Sequence, residues 1–474
     1  MKEIFWELKG ALCPVEKNIY GGFVEHLGRN VYGGIYDPAS PAADEDGFRK
    51  DVLSLIRKLN MPITRYPGGC FSDLYKWEDM VGRERKAFLD PAWCQLEPAT
   101  FGLDEFLKWA EKAHTEPMIT VNAVNRTLMD TAALYEYCNF PGGTYWSDQR
   151  RKNGREEPYN VKYWCLGNEL YGSWEMGQRS PQSCAECVRE HAKVLRNLDP
   201  DCQIILCGNT FMPEWNEVMF KVCGPYCDLY SIHYQFYYDR SRPEEEYLRT
   251  PDELEKSILE VKKLIENAKK EDPQCRIRGI SLDEWILWDN DRTPKGGEKW
   301  TKGMHLLEQD YTLLDALVAG QLFSVLQRNS DILKVACIAQ SVNVIAPIRT
   351  EEDGTCWTQS IFAPFMLSSR FGRGNALLIR EEGNEEKDIS GSAVEMEDGS
   401  FSLFVTNRSR DHYHFSLKGD YCPLEALVLT HEDHTLTNAP GSKDHFQPSP
   451  LPVTEKCEVE LLPYSWSMIR LRKK

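Results

Sequence analysis

The sequence predicts an α/β protein built as a (β/α)8 TIM barrel followed by a smaller antiparallel β-sandwich. Two observations lead to this prediction. From Asn18 onward, eight apolar, strand-like runs alternate with helix-like runs, and parallel strands need such crossover helices. Eight is also the number of strands that closes a barrel of this kind. After about Phe371 the chain changes to short alternating runs separated by Gly, Asn, Asp and Pro, which is typical of a sandwich.

The barrel elements follow from the spacing of the apolar residues. The eight predicted strands are 19–25, 63–66, 118–123, 161–166, 203–207, 228–233, 277–283 and 333–339. The predicted helices between them are 47–59, 103–113, 127–138, 182–198, 213–222, 251–270 and 311–327. An open, doubly wound sheet is the alternative. No G-x-G-x-x-G follows the first strand, so the dinucleotide-binding form of that fold has little support.

The second half of the prediction concerns domains and loops. Sandwich strands are predicted at 393–404, 412–417, 424–429 and 466–471. We therefore expect a barrel domain at 14–370 and a sandwich domain at 371–474, to which residues 1–13 contribute a strand. Segment 290–309 lacks a core pattern, so it predicts a long loop over the barrel mouth that carries binding residues.

Charge and composition disfavour several kinds of partner. The 474 residues carry a net charge of −17, which makes nucleic acid or an anionic membrane surface a poor partner. We find neither a secretory signal nor an apolar run of about 18 residues, the length that spans a bilayer. A cytoplasmic protein with reduced, mostly buried cysteines is therefore expected. Cys184 and Cys187 form a lone C-x-x-C, for which a surface helix is favoured over a metal or redox site.

Polar residues follow the predicted strands, where a barrel places its chemistry. They are Glu25, His26, Arg65, Asn122, Asn125, Asn168, Glu169, His233, Asp283, Glu284, Gln340 and Asn343, with Trp77, Trp93, Trp174, Trp285 and Trp288 nearby. Any one of them alone is more often a solvated surface residue or a satisfied core residue. Together they form a ring of amides, carboxylates and aromatic side chains, which suits the hydroxyls and flat C–H faces of a sugar.

Two carboxylates of this ring stand nearly opposite each other. Glu169 follows the fourth predicted strand and Glu284 follows the seventh. Cleavage of a glycosidic bond needs one carboxyl group that protonates the leaving oxygen and a second that attacks the anomeric carbon or directs water to it. The pattern therefore predicts a barrel hydrolase or lyase that acts on a carbohydrate.

Six stretches carry a resemblance to the α-L-arabinofuranosidases of glycoside hydrolase family 51. They are GGFVEHLGRNVYGGIYDP (21–38), MPITRYPGGCFSDLYKWEDMVG (61–82), VKYWCLGNEL (161–170), ISLDEWILW (280–288), YTLLDALVAG (311–320) and ACIAQSVNVIAPI (336–348). The resemblance implies a retaining mechanism through a covalent arabinosyl-enzyme. By it Glu169 is the acid/base and Glu284 is the nucleophile.

The resemblance also implies the residues that hold the sugar. Its substrate-binding positions fall on Glu25, Trp93, Asn168, His233, Trp288 and Gln340. Two positions depart from many relatives: Cys70 stands where some have Asn, and Gln235 stands where many have a Tyr that orients the nucleophile. We expect Cys70 to bind the substrate, through a weaker hydrogen bond than Asn would make. No residue is assigned the role of the tyrosine.

These observations lead to an exo-acting α-L-arabinofuranosidase that releases terminal arabinofuranosyl residues from arabinose-containing oligosaccharides. The alternatives are another retaining glycosidase on the same scaffold, such as an endoglucanase or xylosidase, and a non-catalytic sugar-binding protein. The chemistry requires no metal and no organic cofactor. A homo-oligomer, a hexamer, is expected by resemblance alone. Burial and the charge of Glu284 are expected to raise the pKa of Glu169, and a retaining pair predicts carboxyl groups about 5–5.5 Å apart.

Overall fold

The structure, a computed structural model, describes residues 2–289, 291 and 296–474. The strands of this part are β1 Lys2–Pro14, β2 Gly22–Phe23, β3 Ile63–Tyr66, β4 Phe88–Asp90, β5 Gln95–Glu97, β6 Glu116–Val121, β7 Tyr163–Leu166, β8 Gln203–Leu206, β9 Leu229–Tyr237, β10 Gly279–Trp288, β11 Leu333–Ile338, β12 Ile348–Thr350, β13 Cys356–Thr358, β14 Asn375–Glu382, β15 Ile389–Glu395, β16 Ser400–Asn407, β17 Tyr413–Lys418, β18 Tyr421–Leu429, β19 Ser449–Pro450, β20 Glu458–Leu461 and β21 Ser465–Lys473. The α-helices are α1 Lys50–Leu59, α2 Leu103–Ala113, α3 Leu128–Asn139, α4 Tyr145–Lys152, α5 Pro181–Leu198, α6 Pro213–Cys223, α7 Glu244–Leu248, α8 Thr250–Glu271, α9 Leu313–Arg328 and α10 Phe362–Phe371.

Eight parallel strands form the barrel, so the predicted fold class is confirmed. Their order around the sheet is β2, β3, β6, β7, β8, β9, β10, β11. The ring closes at Gly21, whose N–H donates to the carbonyl of Ala336 at 2.8 Å and whose carbonyl accepts from Ile338 at 3.1 Å. All eight C-termini therefore meet at one rim, where the polar residues of the sequence pattern collect.

The first barrel strand is much shorter than the predicted 19–25. Residues Lys17–Tyr20 form a 3₁₀ turn, and only Gly22–Phe23 make ladder bonds to β3. A Cβ atom on Gly21 would lie 2.8 Å from the carbonyl oxygen of Ala336. The glycine pair thus allows the backbone to approach β11 closely enough to close the barrel.

Two strands extend beyond their predicted ends. β9 continues to Tyr237 and β10 continues to Trp288, because the two strands pair with each other from His233↔Glu284 to Tyr237↔Trp288. A register shift precedes Glu284 in β10. The aromatic and branched residues that follow have strong strand preference, so no break occurs where the prediction ended the strands. His233 and Glu284 therefore lie within paired strands, not on loops.

A second sheet of nine strands has its own core, and this part of the fold prediction is also confirmed. Its order is β19, β18, β21, β16, β15, β14, β1, β17, β20, and β1 pairs with β14 and β17. The predicted single strand at 393–404 is the hairpin β15–β16. A separate apolar cluster, which includes Trp6, Leu403 and Ile469, fills this sheet. The domain boundaries at 14–370 and 371–474 stay a prediction.

Among the described residues, no helix has both the length and the apolar composition that a bilayer crossing requires. All 16 cysteines lie in the described part of the chain and carry free thiols, and most of them are buried. Cys184 of α5 is buried rather than on a helix surface, and the Cys187 thiol donates to the carbonyl of Ala123 at 3.2 Å. Both side chains pack α5 against the barrel.

Candidate active site

Arg65 of β3 lies at the centre of the rim and joins three of the barrel strands. Its guanidinium donates to Glu284 Oε2 at 3.1 Å and to Asn168 Oδ1 at 2.6 Å, and it lies 3.8 Å from Asp283 Oδ2. The ring of Phe23 covers one face of the guanidinium at 4.6 Å. Arg65 is buried, so this charge both orients Asn168 and favours an ionised Glu284.

Glu169 and Glu284 meet across the mouth. One carboxylate oxygen of each, together with a ring nitrogen of His233, lies within a mutual distance of 4.8 Å. His233 Nδ1 lies 2.9 Å from Glu169 Oε1 and 3.5 Å from Glu284 Oε2. A retaining pair stands about 5–5.5 Å apart and an inverting pair about 6.5–9.5 Å apart, so this separation fits retention.

The backbone after β7 turns sharply to present Glu169. Gly167 has φ +81° and Glu169 has φ +40°, a conformation that non-glycine residues rarely adopt. A Cβ atom on Gly167 would lie 2.5 Å from the Leu170 side chain, so this position requires glycine. Trp174 Nε1 donates to Glu169 Oε2 at 2.7 Å and the Tyr171 hydroxyl donates to Oε1 at 3.2 Å. The carboxylate is thus held by groups on its own loop and by His233.

The pKa of Glu169 is shifted in the direction opposite to the sequence expectation. Burial acts to raise it, but the hydrogen bond and charge of His233 and the bonds from Trp174 and Tyr171 outweigh burial and lower the pKa. For Glu284, burial raises the pKa, and the charge of Glu169 adds to this against His233 and Arg65. Although burial opposes it, the surrounding carboxylates raise the pKa of His233. These directions favour an ionised Glu169 and a protonated His233, whereas the sequence analysis expected the proton on Glu169.

Glu25 closes one end of the mouth. It accepts hydrogen bonds from Trp93 Nε1 at 3.0 Å, from Gln340 Nε2 at 2.9 Å and from the backbone N–H of Phe71 at 3.2 Å. Burial, followed by the charge of Glu284, raises the pKa of Glu25 to about 8. A Cβ atom on Gly69 would lie 2.5 Å from both carboxylate oxygens, which explains the glycine of the Pro-Gly-Gly turn.

Asn168 and Cys70 share one acceptor that the sequence analysis did not single out. Asn168 Nδ2 and the Cys70 thiol each donate to Glu175 Oε1 at 3.0 Å. Glu175 lies in the loop between β7 and α5 and is buried. Two of the predicted sugar-binding side chains are therefore held from behind by a single carboxyl group.

Two family models match the chain. The model described as the α-L-arabinofuranosidase 1 domain matches residues 55–253, and the α-L-arabinofuranosidase C-terminal domain matches residues 283–465. The intracellular exo-α-(1→5)-L-arabinofuranosidase 1 of Bacillus subtilis is 39% identical over 97% of this chain and 96% of its own. The exo-α-(1→6)-L-arabinofuranosidase of Bifidobacterium longum is 38% identical over 84% of this chain and 81% of its own.

Solved structures agree with these relatives. A family 51 α-L-arabinofuranosidase from Bifidobacterium longum has a TM-score of 0.94 at 33% identity and covers 100% of both chains. The chain belongs to the family 51 α-L-arabinofuranosidases. An arabinose complex of the Thermotoga maritima α-L-arabinofuranosidase has a TM-score of 0.87 at 31% identity over 99% of both chains. The suspected family is thus confirmed, and with it a retaining glycoside hydrolase.

The two departures from the family pattern have local explanations in this arabinofuranosidase. Cys70 donates to Glu175, as described above, while Gln235 accepts a hydrogen bond from the Tyr237 hydroxyl. The tyrosine hydroxyl that contacts a carboxylate of the pair belongs to Tyr171 on the β7–α5 loop. Trp288 lies on β10 four residues beyond Glu284, and therefore on the same face of that strand.

Several residues of the predicted ring have structural partners instead. Trp77 packs against Tyr137 and Trp146, and Trp285 packs against Phe323. Further such residues are Asn122, which donates to the backbone of Asp73 and Tyr75, and Asn343, which is bonded to Arg29 and Thr350. Segment 290–309 lies partly outside the described residues, and its described part bonds to the β4–β5 hairpin that carries Trp93.

The cleft beside Glu169 was missed at the sequence level. It has a volume of about 820 Å³ and is lined by Glu169, Tyr171, Trp174, Phe211, Met212, His233, Gln235 and Tyr237, among others. Phe211 is 70% exposed and Trp174 is 55% exposed. The aromatic residues of these loops were the only sequence signal for the cleft. Because loop residues have no periodic spacing, the sequence could not show that these side chains lie beside Glu169.

Proposed function

We propose that Glu169 is the acid/base and Glu284 the nucleophile of this retaining α-L-arabinofuranosidase. The observation that supports both roles best is the placement of their oxygens within 4.8 Å, with Arg65 bonded to Glu284 and His233 bonded to Glu169. Arg65 favours the anionic form that a nucleophile requires. His233 gives Glu169 a group with which it can exchange a proton.

A proton shared between Glu169 and His233 is compatible with this assignment. When the His233 ring is an imidazolium, both glutamates can be ionised; if its additional proton moves to Glu169, the same site contains an acid and a carboxylate. The two forms differ only in where one proton lies along the 2.9 Å hydrogen bond. Neutralising Glu169 also removes the charge that raises the pKa of Glu284. The form that is competent for the reaction is thus a tautomer of the imidazolium form.

The reaction then proceeds by double displacement. Glu284 attacks the anomeric carbon while Glu169 protonates the leaving oxygen, and Glu169 next takes a proton from the water that releases arabinose. Asn168, fixed by Arg65, is proposed to bond the 2-hydroxyl, an interaction that strengthens as charge develops at the anomeric carbon.

The shape of the site supports attack on a terminal residue. Trp93 and Gln340 both donate hydrogen bonds to Glu25 and close one end with it, while the 820 Å³ cleft opens on the Glu169 side. We propose that Glu25, Trp93, Cys70, Asn168, His233, Trp288 and Gln340 contact the terminal sugar or its neighbour, and that the cleft accepts the rest of an arabinose-containing oligosaccharide. Named relatives act on 1→5 and on 1→6 linkages, so both linkages are candidates.

Location and assembly are proposed on narrower grounds. Relatives from Bacillus subtilis and Acetivibrio thermocellus are named intracellular enzymes, which supports a cytoplasmic location for this chain. The homo-oligomer stays a prediction that rests on family resemblance. Light scattering coupled to gel filtration distinguishes a hexamer from a monomer of 54.7 kDa.

The experiment that tests the function compares three substrates. We expect the enzyme to hydrolyse 4-nitrophenyl α-L-arabinofuranoside at least about 100-fold faster than the β-xyloside or β-glucoside, because a site that requires a hydrogen-bonded hydroxyl rejects analogues that leave buried polar groups unpaired. NMR of the first product should show the α-anomer. Preference for the xyloside or the glucoside, or a β-anomer from the arabinofuranoside, would contradict the proposal.

A further inference from the structure

A pair of buried acids lies behind the sugar-binding rim. Glu175 on the β7–α5 loop and Asp73, in the 3₁₀ turn Cys70–Leu74, are 5% and 1% exposed. The charge of Asp73 acts on the carboxyl group of Glu175, so the two acids are close neighbours. Two ionised carboxylates at such a site repel each other, which favours a proton on one of them. Asp73 Oδ2 accepts the backbone N–H of Gly177 at 2.8 Å, which favours the ionised form of Asp73 and hence a neutral Glu175.

The other oxygen of Glu175 faces the active site. Oε1 accepts Asn168 Nδ2 and the Cys70 thiol, both at 3.0 Å. Asn168 is therefore clamped from two sides, because its Oδ1 accepts from Arg65 at 2.6 Å. These two bonds fix which way the amide points. Its carbonyl oxygen faces the cation and its NH₂ group faces Glu175.

We propose that Glu175 is a positioning residue of the glycosidase, which orients the Asn168 amide toward the substrate and does so as a neutral acid beside an ionised Asp73. The inference rests on the proposed function, since it assumes that Asn168 bonds the 2-hydroxyl of the sugar. Neither the loop position of Glu175 nor its burial alone requires a carboxyl group there, whereas orientation of the Asn168 amide does.

The charge state explains why an acid can stand here. Glu175 lies near Glu169, whose charge acts on it. Burial, followed by the charge of Asp73, raises the pKa of Glu175 to about 9, and burial raises the pKa of Asp73 to about 6. At neutral pH the pair thus holds one proton and adds a single charge, which keeps the repulsion on the catalytic carboxylates low.

The test uses three variants and two substrates. Glu175→Gln keeps an oxygen that accepts from Asn168 and Cys70 and gains an NH₂ group that donates to Asp73. Glu175→Leu removes the acceptor for Asn168 and Cys70 and offers no donor to Asp73. Glu255→Gln changes a half-buried glutamate that binds Arg328 on α9, far from the rim, and serves as the matched control. kcat and KM are measured for 4-nitrophenyl α-L-arabinofuranoside and for its 2-deoxy analogue.

The 2-deoxy penalty is the ratio of kcat/KM for the parent substrate to kcat/KM for its 2-deoxy analogue. We expect this ratio to be about 100 or more in the wild type. It should stay within about 3-fold of that value in Glu175→Gln and Glu255→Gln, and it should fall by about 10-fold or more in Glu175→Leu, because a wrongly oriented amide gains little from the 2-hydroxyl. An unchanged penalty in Glu175→Leu would overturn the positioning role. If Glu175→Leu does not fold, Glu175→Gln alone decides: a loss of kcat above about 100-fold would overturn the neutral-acid assignment.

The same data separate this inference from the proposed function. A wild-type enzyme that does not hydrolyse the 2-hydroxy substrate contradicts the function itself. A wild-type enzyme that hydrolyses it, with a 2-deoxy penalty that no substitution at Glu175 alters, contradicts only the inference.

Discussion

Replacing His233 with asparagine tests the shared proton. His233 Nδ1 lies 2.9 Å from Glu169 Oε1 and 3.5 Å from Glu284 Oε2, and its Nε2 lies 3.7 Å from Asp283 Oδ1. Asparagine can still donate a hydrogen bond, but it cannot carry the proton. A bond to a charged donor contributes about 1.5–3 kcal/mol and a neutral one about 0.5–1.5 kcal/mol, so the loss is about 1–2 kcal/mol. That corresponds to roughly 5- to 30-fold in rate.

The pH profile gives the sharper prediction. In the wild type, the proton that Glu169 donates is shared between Glu169 and His233. A proton that can occupy either of two groups is lost at a higher pH than a proton that can occupy only one. The basic limb of kcat/KM should therefore move to lower pH in His233→Asn. The acidic limb should move to higher pH, because the charge of His233 lowers the pKa of Glu284 and the variant lacks it. The pH range in which His233→Asn is active should therefore be narrower than that of the wild type at both its acidic and its basic end.

The assay is kcat/KM for 4-nitrophenyl α-L-arabinofuranoside from pH 4 to 10, which reports the groups of the free enzyme. His191→Asn is the matched control. His191 of α5 is also buried, but its Nδ1 lies 2.7 Å from the hydroxyl of Thr131 on α3. Its pKa is lowered to about 4 by burial, so its loss should leave both limbs unchanged. A His233→Asn profile that superimposes on the wild type, or one whose basic limb moves to higher pH, would refute the reasoning.

Three further predictions concern the rim. Glu169→Ala should lose about 10²–10⁴-fold on alkyl arabinofuranosides and much less on dinitrophenyl ones, which need no acid, and equal losses on both would argue against an acid role. Arg65→Met should lower the free energy of unfolding by about 3–5 kcal/mol in urea titrations, since it leaves buried carboxylates unpaired, and a change below about 1 kcal/mol would be inconsistent with the ion pairs. Gly69→Ala should lower kcat/KM by about 100-fold, because its Cβ atom displaces Glu25, while Gly297→Ala, whose Cβ atom would meet no described atom within 4 Å, should change nothing.

The sequence predicted the barrel because each of its parts has a local signature. Apolar runs mark the strands, and a polar residue directly after such a run marks the rim, which is how Glu169 and Gln340 were found. The extended pairing of β9 and β10 was missed because nothing polar or flexible interrupts the residues after His233 and Glu284. Strand ends were therefore predictable only where a Gly or Pro breaks the chain.

The electrostatics of the site were not predictable from the sequence. Glu169 was expected to hold a proton because it is buried near Glu284, but its pKa depends on His233 and on Trp174 and Tyr171, which the fold brings to it. Glu175 was missed for a related reason. It lies in an irregular loop, and its partner Asp73 lies on a turn after a different strand. Contacts between loops of different strands have no sequence period that would predict them.

The anomer formed in the presence of azide tests the assignment of the two glutamates most directly. In Glu169→Ala, azide should attack the arabinosyl-enzyme formed on Glu284 and yield the α-L-arabinofuranosyl azide, with retained configuration. In Glu284→Ala no such intermediate forms, so azide attacks the α-linked aryl substrate itself and yields the β-azide. NMR coupling constants of the isolated azides distinguish the two. A β-azide from Glu169→Ala, or an α-azide from Glu284→Ala, would contradict the account.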